Sequence, residues 1–413
     1  MSAADITAPS RLLRNVEQQA SHAHLSLDVS RSPAPSARSA RAHLDAIIVP
    51  ASRPASFLRP AIDLAAYLGV FLVVLCSKQT RVEQVAKGVA QAPGARSLIV
   101  PIPNWWKHPR FPNQTAAADF QTANANRDSD LSAKRNVGLL LARLHGWNKI
   151  VFVDDDISHM DNIARLAGQL DRHQVAGMHV RRFPDNSVVC HARRLAGFGQ
   201  DVFVTGAALG VHCNSLPLSF FPDIYNEDWF FFAREAAAKD VPRAGCARQP
   251  PYDPFESADQ ARCEEFGDLL AEGLYALIDQ WRVSVSFDEQ LRRARAPYWS
   301  QFIDARREVI TQAKSQLDRC MDRDKGNGYV LSALSSLAAA ESQLDTITSD
   351  LCVNFLNAWR DDLDDWQSFS NAVNNVGSTR EALDFLELKT WTVAEFGAGV
   401  VDSETAPGRI RVL

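Results

Sequence analysis

The sequence predicts an α/β protein, a mostly parallel sheet flanked by helices and followed by an α-helical C-terminal part. Two observations predict it. From Leu44 to about residue 100, short apolar runs alternate with helical stretches, the pattern of βαβ units in a parallel sheet. Beyond about Tyr252 the apolar residues recur at helical spacing instead. A third observation locates the chemistry: the strand Lys149-Ile150-Val151-Phe152-Val153 stops abruptly in Asp154-Asp155-Asp156.

Taken in order, residues 1–43 are rich in Ala, Ser, Arg and Pro. They lack the apolar content to order themselves, so a flexible tail is expected. Leu44-Asp45-Ala46-Ile47-Ile48-Val49-Pro50 is a short buried strand that ends in Ala51-Ser52-Arg53. A helix from about Ser56 to Leu68, a strand Val70–Leu75, a helix Val82–Val89 and a strand Ser97–Pro101 follow, with Gly69 separating the first two. From Asn104 to Asp130 the pattern breaks into a long loop, a length more often functional than idle. Leu131–Leu144 is a helix with Val137, Leu140, Leu141 and Leu144 on one face, leading into the acidic strand. Next come a helix near Asn162–Arg172, a strand Val175–Val180, and an extended pair around Ser187–His191 and Val202–Thr205. Past about residue 255, stripes such as Phe266, Leu269, Leu270, Leu274, Leu277 and Ile278 mark helices. The expected organisation is a tail at 1–43, a catalytic sheet domain at 44–254, a helical region at 255–398 and a loose tail at 399–413.

Composition narrows the class. With 46% hydrophobic and 23% charged residues, the chain has the make-up of an ordinary soluble protein. A net charge of −5 gives no general attraction to nucleic acid or anionic lipid, so no nucleic-acid partner is expected. The seven cysteines are scattered without a CxxC pair, which favours reduced thiols and a cytoplasmic location. No secretory signal is visible at the start of the sequence, and the apolar run from Leu64 to Cys76 is too short to span a bilayer.

Three stretches carry the chemistry. Adjacent carboxylates at roughly 4 Å repel by roughly 4 kcal/mol at an effective dielectric near 20. Asp154, Asp155 and Asp156 therefore belong at the open carboxyl edge of the sheet, where such folds hold ligands. Hard oxygens there suit Mg²⁺ or Mn²⁺, which takes up phosphates. An N-cap explains one aspartate, not three after a buried strand. Asp362-Leu363-Asp364 has the same spacing but sits in a helical stretch, where a solvated face is expected. The second stretch is Asn226-Glu227-Asp228, pressed against Trp229, Phe230, Phe231 and Phe232. Aromatic surroundings desolvate a carboxylate and raise its pKa, the usual way to make a general base. The alternative is a helix start with Asn226 as its N-cap. The third is Lys134-Arg135-Asn136, two cations and an amide near the acidic edge that meet a phosphate or base, or else an ordinary helix face.

Together, Ile47–Arg53, Ala133–Gly138, Val151–Asp156, Thr205–Gly210 and Asn226–Trp229 resemble the nucleotide-sugar glycosyltransferases of the GT-A (Rossmann-like) fold. The likeness is to the inverting family that includes the cellulose and chitin synthases, over about residues 44 to 240. It implies a hexosyltransferase-like enzyme that moves a sugar from a nucleoside-diphosphate sugar donor to an acceptor hydroxyl. It further implies that Asp154 and Asp156 hold Mn²⁺ or Mg²⁺ on the donor diphosphate, with Asp155 on metal or ribose. Pro50, Ser52 and Arg53 would line the base and ribose pocket. Arg135 and Asn136 would face the nucleotide, and Gly206-Ala207 the acceptor. Asp228, with Glu227 beside it, would deprotonate the acceptor. The sequence departs from the family in two places. Leu75 is followed by Cys76-Ser77-Lys78 and not by acidic residues, and no histidine occurs after His212. A third metal ligand is thus His212, another residue type, or absent. Two other readings stand beside this one. A strand ending in Asp-x-Asp also looks like the first motif of the haloacid-dehalogenase-like phosphatases, and the chain could be a non-catalytic sugar- or nucleotide-binding protein with a degenerate site.

Overall fold

The computed structural model describes residues 22–29, 43–104, 106–108, 111, 113–184, 186–200, 203–214, 217–280, 285–323 and 327–398. Among them, ten strands form one sheet. Its order is β1 (Ser26–Asp28), β9 (Val241–Arg248), β7 (Val175–Arg181), β8 (Ala208–His212), β5 (Lys149–Val153), β2 (Ala46–Ala51), β3 (Phe71–Cys76), β4 (Arg96–Pro101) and β10 (Thr392–Glu395), with β6 (His159–Asp161) on β9. β5, β2, β3 and β4 run parallel, as do β7, β9 and β1. Between these two groups β8 runs antiparallel to both β5 and β7. The predicted α/β class and mostly parallel sheet are therefore present.

The apolar runs behave as their composition requires. β2, β3 and β5 are buried along their whole length, which is why they read as unbroken hydrophobic stretches. Gly69 closes the crossover helix Arg59–Leu68 in the left-handed conformation, at φ 66°. Alternate residues of the strands feed two cores. Ile47, Val49, Val74, Val151 and Val153 pack against the crossover helices through Ile62, Val85, Val89 and Leu166. Ile48, Val73, Leu75 and Phe152 face the other way, into a core continuous with Phe266, Leu274, Ile310, Leu337 and Trp359. The helical region (Ala258–Gln280, Phe287–Arg293, Ala296–Arg323, Gly328–Leu344, Ser349–Ala372 and Thr379–Phe385) thus closes one face of the sheet.

Several expectations are corrected. The N-terminal stretch is not wholly a tail: His22 and Leu25 are buried, and β1 pairs in parallel with Val241, Pro242 and Arg243 of β9. The expected C-terminal tail, 399–413, lies outside the described residues. The helical region is not purely helical, because β10 returns to pair antiparallel with β4. Ser187–His191 is not extended but starts the helix Val188–Leu195. Ser187 caps that helix by accepting from the Cys190 N–H, and the cap outweighs the strand preference of Val188 and Val189. The expected strand at Val202–Thr205 begins later, at Ala208, and 201–202 lie outside the described residues. Within 104–130 there is a short helix, Ala118–Ala123, after a turn at Gln114–Ala116. Asp362 is the reason that turn is fixed. Far from being solvated, its carboxylate is buried and accepts from the N–H groups of Gln114 (2.7 Å) and Thr115 (2.8 Å).

No helix of the described residues is long and apolar enough to cross a membrane. The six cysteines whose side chains are described form no disulfide.

Candidate active site

β2, β3 and β5 are parallel, so their carboxyl ends meet at one edge. There Asp155 and Asp156, which follow β5, share Arg53, while Asp154 pairs with Arg135. Asp155 is buried and turns back. Its Oδ2 accepts from the backbone N–H groups of Ser52 (2.7 Å) and Arg53 (2.9 Å), and its Oδ1 pairs with the Arg53 guanidinium. Two N–H groups just past the end of β2 need an acceptor, and Asp155 is it. Asp155 is therefore a clasp on the β2 loop, not a ligand to metal or ribose. Asp156 Oδ2 forms an ion pair with Arg53 Nη2 (3.1 Å) and accepts from Gln249 Nε2 (3.1 Å). Burial raises its pKa, with repulsion from Asp154 and Asp155 adding, and Arg53 and Gln249 pulling against. Asp154 is the most open of the three, its side chain 24% exposed, and its Oδ1 meets Arg135 Nη2 at 2.9 Å.

Arg135 joins the acidic edge to the second motif. Its guanidinium is buried, bonded to Asp154 on one side and to Glu227 Oε1 (2.5 Å) on the other, over the ring of Phe221. Burial works against this charge, but Asp154, Glu227 and Asp228 more than offset it and hold the guanidinium above its ordinary range. Gly206 is required here: a Cβ would come within 2.5–2.7 Å of the guanidinium atoms. The Gly206 N–H in turn donates to Asp228 Oδ2 (2.5 Å), while Asp228 Oδ1 accepts from Trp229 N–H (2.9 Å). Both oxygens of the Asp228 carboxylate are thus held by backbone N–H groups. Asp228, Glu227, Asp154, Arg135 and Gly206 line one cavity of about 110 Å³.

The remaining expected residues are placed differently. Pro50 is buried within β2, opposite Leu75 and beyond the last β2–β5 pair at Ile48 and Phe152, where its missing N–H does no harm. It is part of the sheet, not a pocket wall. Asn136 spends both ends of its amide on the backbone of Phe221, at 2.8 and 2.9 Å, so it clips a loop and does not face a ligand. Lys134 is likewise consumed, by Ala51 O, Ser77 Oγ and Asp130. Asn226 precedes the helix Glu227–Phe231 as expected, yet its side chain bonds Asp268 (3.1 Å) and does not cap. His212 pairs with Lys149 at the opposite end of β5, about 16 Å from the acidic edge at about 3.3 Å per residue. It cannot join a metal site there. A second cavity, about 300 Å³, opens beyond β3 and β4 between Ser77, Lys78, Thr80, Arg81 and Asn104. Thr80 Oγ1 donates to Arg53 O (2.5 Å), which ties this wall to the acidic edge.

Sequence reading missed what the helix Ala258–Gln280 contributes. Glu264, Asp268 and Glu272, four residues apart, are buried on one face of it, and Asp268 and Glu272 also line the first cavity. Asp268 accepts from Ser187 Oγ (2.6 Å) and Arg306 (2.6 Å), and Glu272 pairs with His22 (3.1 Å). With Cys190 they form the one group of three metal-ligating side chains within 4.8 Å among the described residues. Burial pushes the Cys190 thiol up to about 12, and the carboxylates already have partners, so as built this is a hydrogen-bonded cluster. Acids spaced by four along the apolar stripe of this helix were the available signal.

Glu264 gives a pH prediction. Burial pushes its pKa up to about 7, against the pull of Val188 N–H and Gln260. The folded chain therefore binds this proton more tightly than the unfolded one. Stability from this group is full below about pH 4.5 and is lost as pH rises through 7, on the order of 2–3 kcal/mol. Glu264→Gln keeps the acceptor and removes the charge. It is expected to raise the Tm by several degrees at pH 8 and much less at pH 5; an equal change at both pH values would contradict the assignment.

The chain matches no protein-family model and no curated protein.

Proposed function

We propose that the protein is a metal-dependent glycosyltransferase of GT-A type. It would move a sugar from a nucleoside-diphosphate sugar to an acceptor hydroxyl with inversion. One juxtaposition carries the reading: Asp154, at the end of a central strand, and Asp228, from a segment 74 residues on, line the same cavity, coupled through Arg135 and Gly206. The donor set fits a divalent cation. Asp155 and Asp156 share one partly exposed arginine, Arg53, while Asp154 pairs with Arg135 through Oδ1 and lines the cavity. Asp154 and Asp156 would hold the ion, which when bound neutralises the leaving diphosphate.

The chain's own residues supply the rest. Asp228 accepts the proton of the acceptor hydroxyl. The acceptor oxygen bonds to the anomeric carbon as the bond from that carbon to the diphosphate breaks, on the opposite face. Two backbone N–H groups fix the orientation of the Asp228 carboxylate. Glu227 is reassigned from catalysis to holding Arg135. The cavity beside Ser77, Lys78 and Arg81 offers hydroxyl and cationic groups for the nucleotide half.

Asp156→Asn is expected to abolish transfer and metal-dependent donor binding with the fold unchanged. Release of nucleoside diphosphate from a sugar nucleotide, set against release of phosphate from an aryl phosphate, separates this reading from a phosphatase. Full activity of Asp156→Asn would overturn it.

A further inference from the structure

Gln249 is the least explained polar group at the acidic edge. It directly follows β9, and its N–H donates to Arg181 O (3.2 Å), so the backbone stays beside β7. The residue before it is bound into the acidic turn: Arg248 O accepts from Ser158 N–H (2.8 Å) and Ser158 Oγ (2.9 Å). Gln249 is therefore placed by the sheet, not by a mobile loop. Its side chain is buried, at 6% exposure. Nε2 donates to Asp156 Oδ2 at 3.1 Å, while Oε1 is buried without a hydrogen-bond donor. Buried acceptors are ordinarily satisfied, and an exception needs a reason.

We infer that Gln249 is the third protein ligand of the divalent cation held by Asp154 and Asp156, through Oε1. This rests on the metal reading above and adds the residue that completes its site. An amide carbonyl is a hard oxygen, the donor type that Mg²⁺ and Mn²⁺ take beside carboxylates. Neighbouring ligands of an octahedral ion at about 2.1 Å lie about 3.0 Å apart. The Gln249 amide already stands at that separation from Asp156 Oδ2. A half-turn about its terminal torsion, which is broad and two-fold, exchanges Nε2 for Oε1. The same side chain thus serves Asp156 as a donor without the ion and joins it as a ligand with the ion. In the Cys190, Asp268 and Glu272 cluster, Asn226, Ser187 and Arg306 occupy both oxygens of Asp268, and His22 pairs with Glu272 Oε2.

The test is Mn²⁺ binding by the full chain, read from the electron paramagnetic resonance signal of free Mn²⁺, with and without inorganic pyrophosphate. The wild type is expected to bind and Asp156→Asn to lose binding. Gln249→Leu is expected to weaken it at least tenfold with the melting temperature in chelator unchanged. Gln249→Glu, an isosteric oxygen donor, should fold as the wild type does and bind more tightly. If Asp156→Asn loses Mn²⁺ while Gln249→Glu and Gln249→Leu keep the wild-type Kd, Gln249 is no ligand and the metal site stands without it. If the wild type binds no Mn²⁺ under either condition, the metal reading and this inference fall together.

Discussion

Asp228→Asn is expected to lower the rate of sugar transfer by about 10²–10⁴-fold, the usual contribution of a positioned general base, with donor affinity within about twofold of wild type. The reasoning is geometric. Asparagine can present its carbonyl oxygen to the Gly206 N–H that Asp228 Oδ2 now accepts, so the strip from Thr205 to Ala207 stays in place. What disappears is the capacity to take a proton. The charge on Arg135 remains balanced by Asp154 and Glu227. Rate and binding should therefore separate in steady-state kinetics. A loss of donor affinity equal to the loss of rate would place Asp228 in donor binding instead.

The second large effect is structural. Arg306→Leu is expected to destabilise the protein by about 3–5 kcal/mol, the cost of leaving buried charges without their partner. Arg306 grips Glu265 with two bonds of 2.9 Å and Asp268 with one of 2.6 Å, and all three side chains are at least 93% buried. Burial raises the pKa of Glu265, against the pull of Arg306, so removing the arginine removes the pull that opposes that rise. Asp268 also holds Ser187 and Asn226, and the loss is expected to loosen the entry to the helix Glu227–Phe231 as well. Urea denaturation measures it. The double variant Arg306→Leu with Glu265→Leu should recover part of the loss, because one stranded charge is gone. A change below about 1 kcal/mol in the single variant would show that water reaches the triad and screens it.

The fold was legible where burial is two-sided. β2, β3 and β5 announce themselves because they are buried along their whole length, and the helix Leu131–His145 because Val137, Leu140, Leu141 and Leu144 are buried together. The helical region was legible for the same reason, through its repeated stripes. Local chemistry misled where a single side chain decides the outcome. Ser187 turns a β-branched run into a helix. Asp362 looks like half of a solvated pair until its backbone partners arrive from 247 and 248 residues away. β10 is four residues long and gains its place only from β4.

At the site, the sequence singled out Asp154, Asp156, Glu227 and Asp228 because acids beside buried apolar segments are costly and need an explanation. It could not tell which of three consecutive aspartates is a clasp. That depends on where the Ser52 and Arg53 N–H groups lie, and Asp155 happens to face them. Arg135 and Asn136 were found as polar residues near the edge, but only the fold shows one bridging two carboxylates and the other clipped to Phe221. Gln249 gave no signal at all, since a lone amide after a strand is ordinary until its neighbours are known.

The most direct measurement of the central claim is the melting temperature of the full chain against a panel of nucleotide sugars, with Mn²⁺ and with chelator. A ligand that binds only the native state at 100 times its Kd adds about 2.7 kcal/mol. The expected result is that at least one nucleotide sugar raises the Tm with Mn²⁺, fails to do so in chelator, and fails with Asp156→Asn under either condition. No shift from any of them, or the same shift with and without the cation, would contradict a cation held at the end of β5 as the grip on the donor.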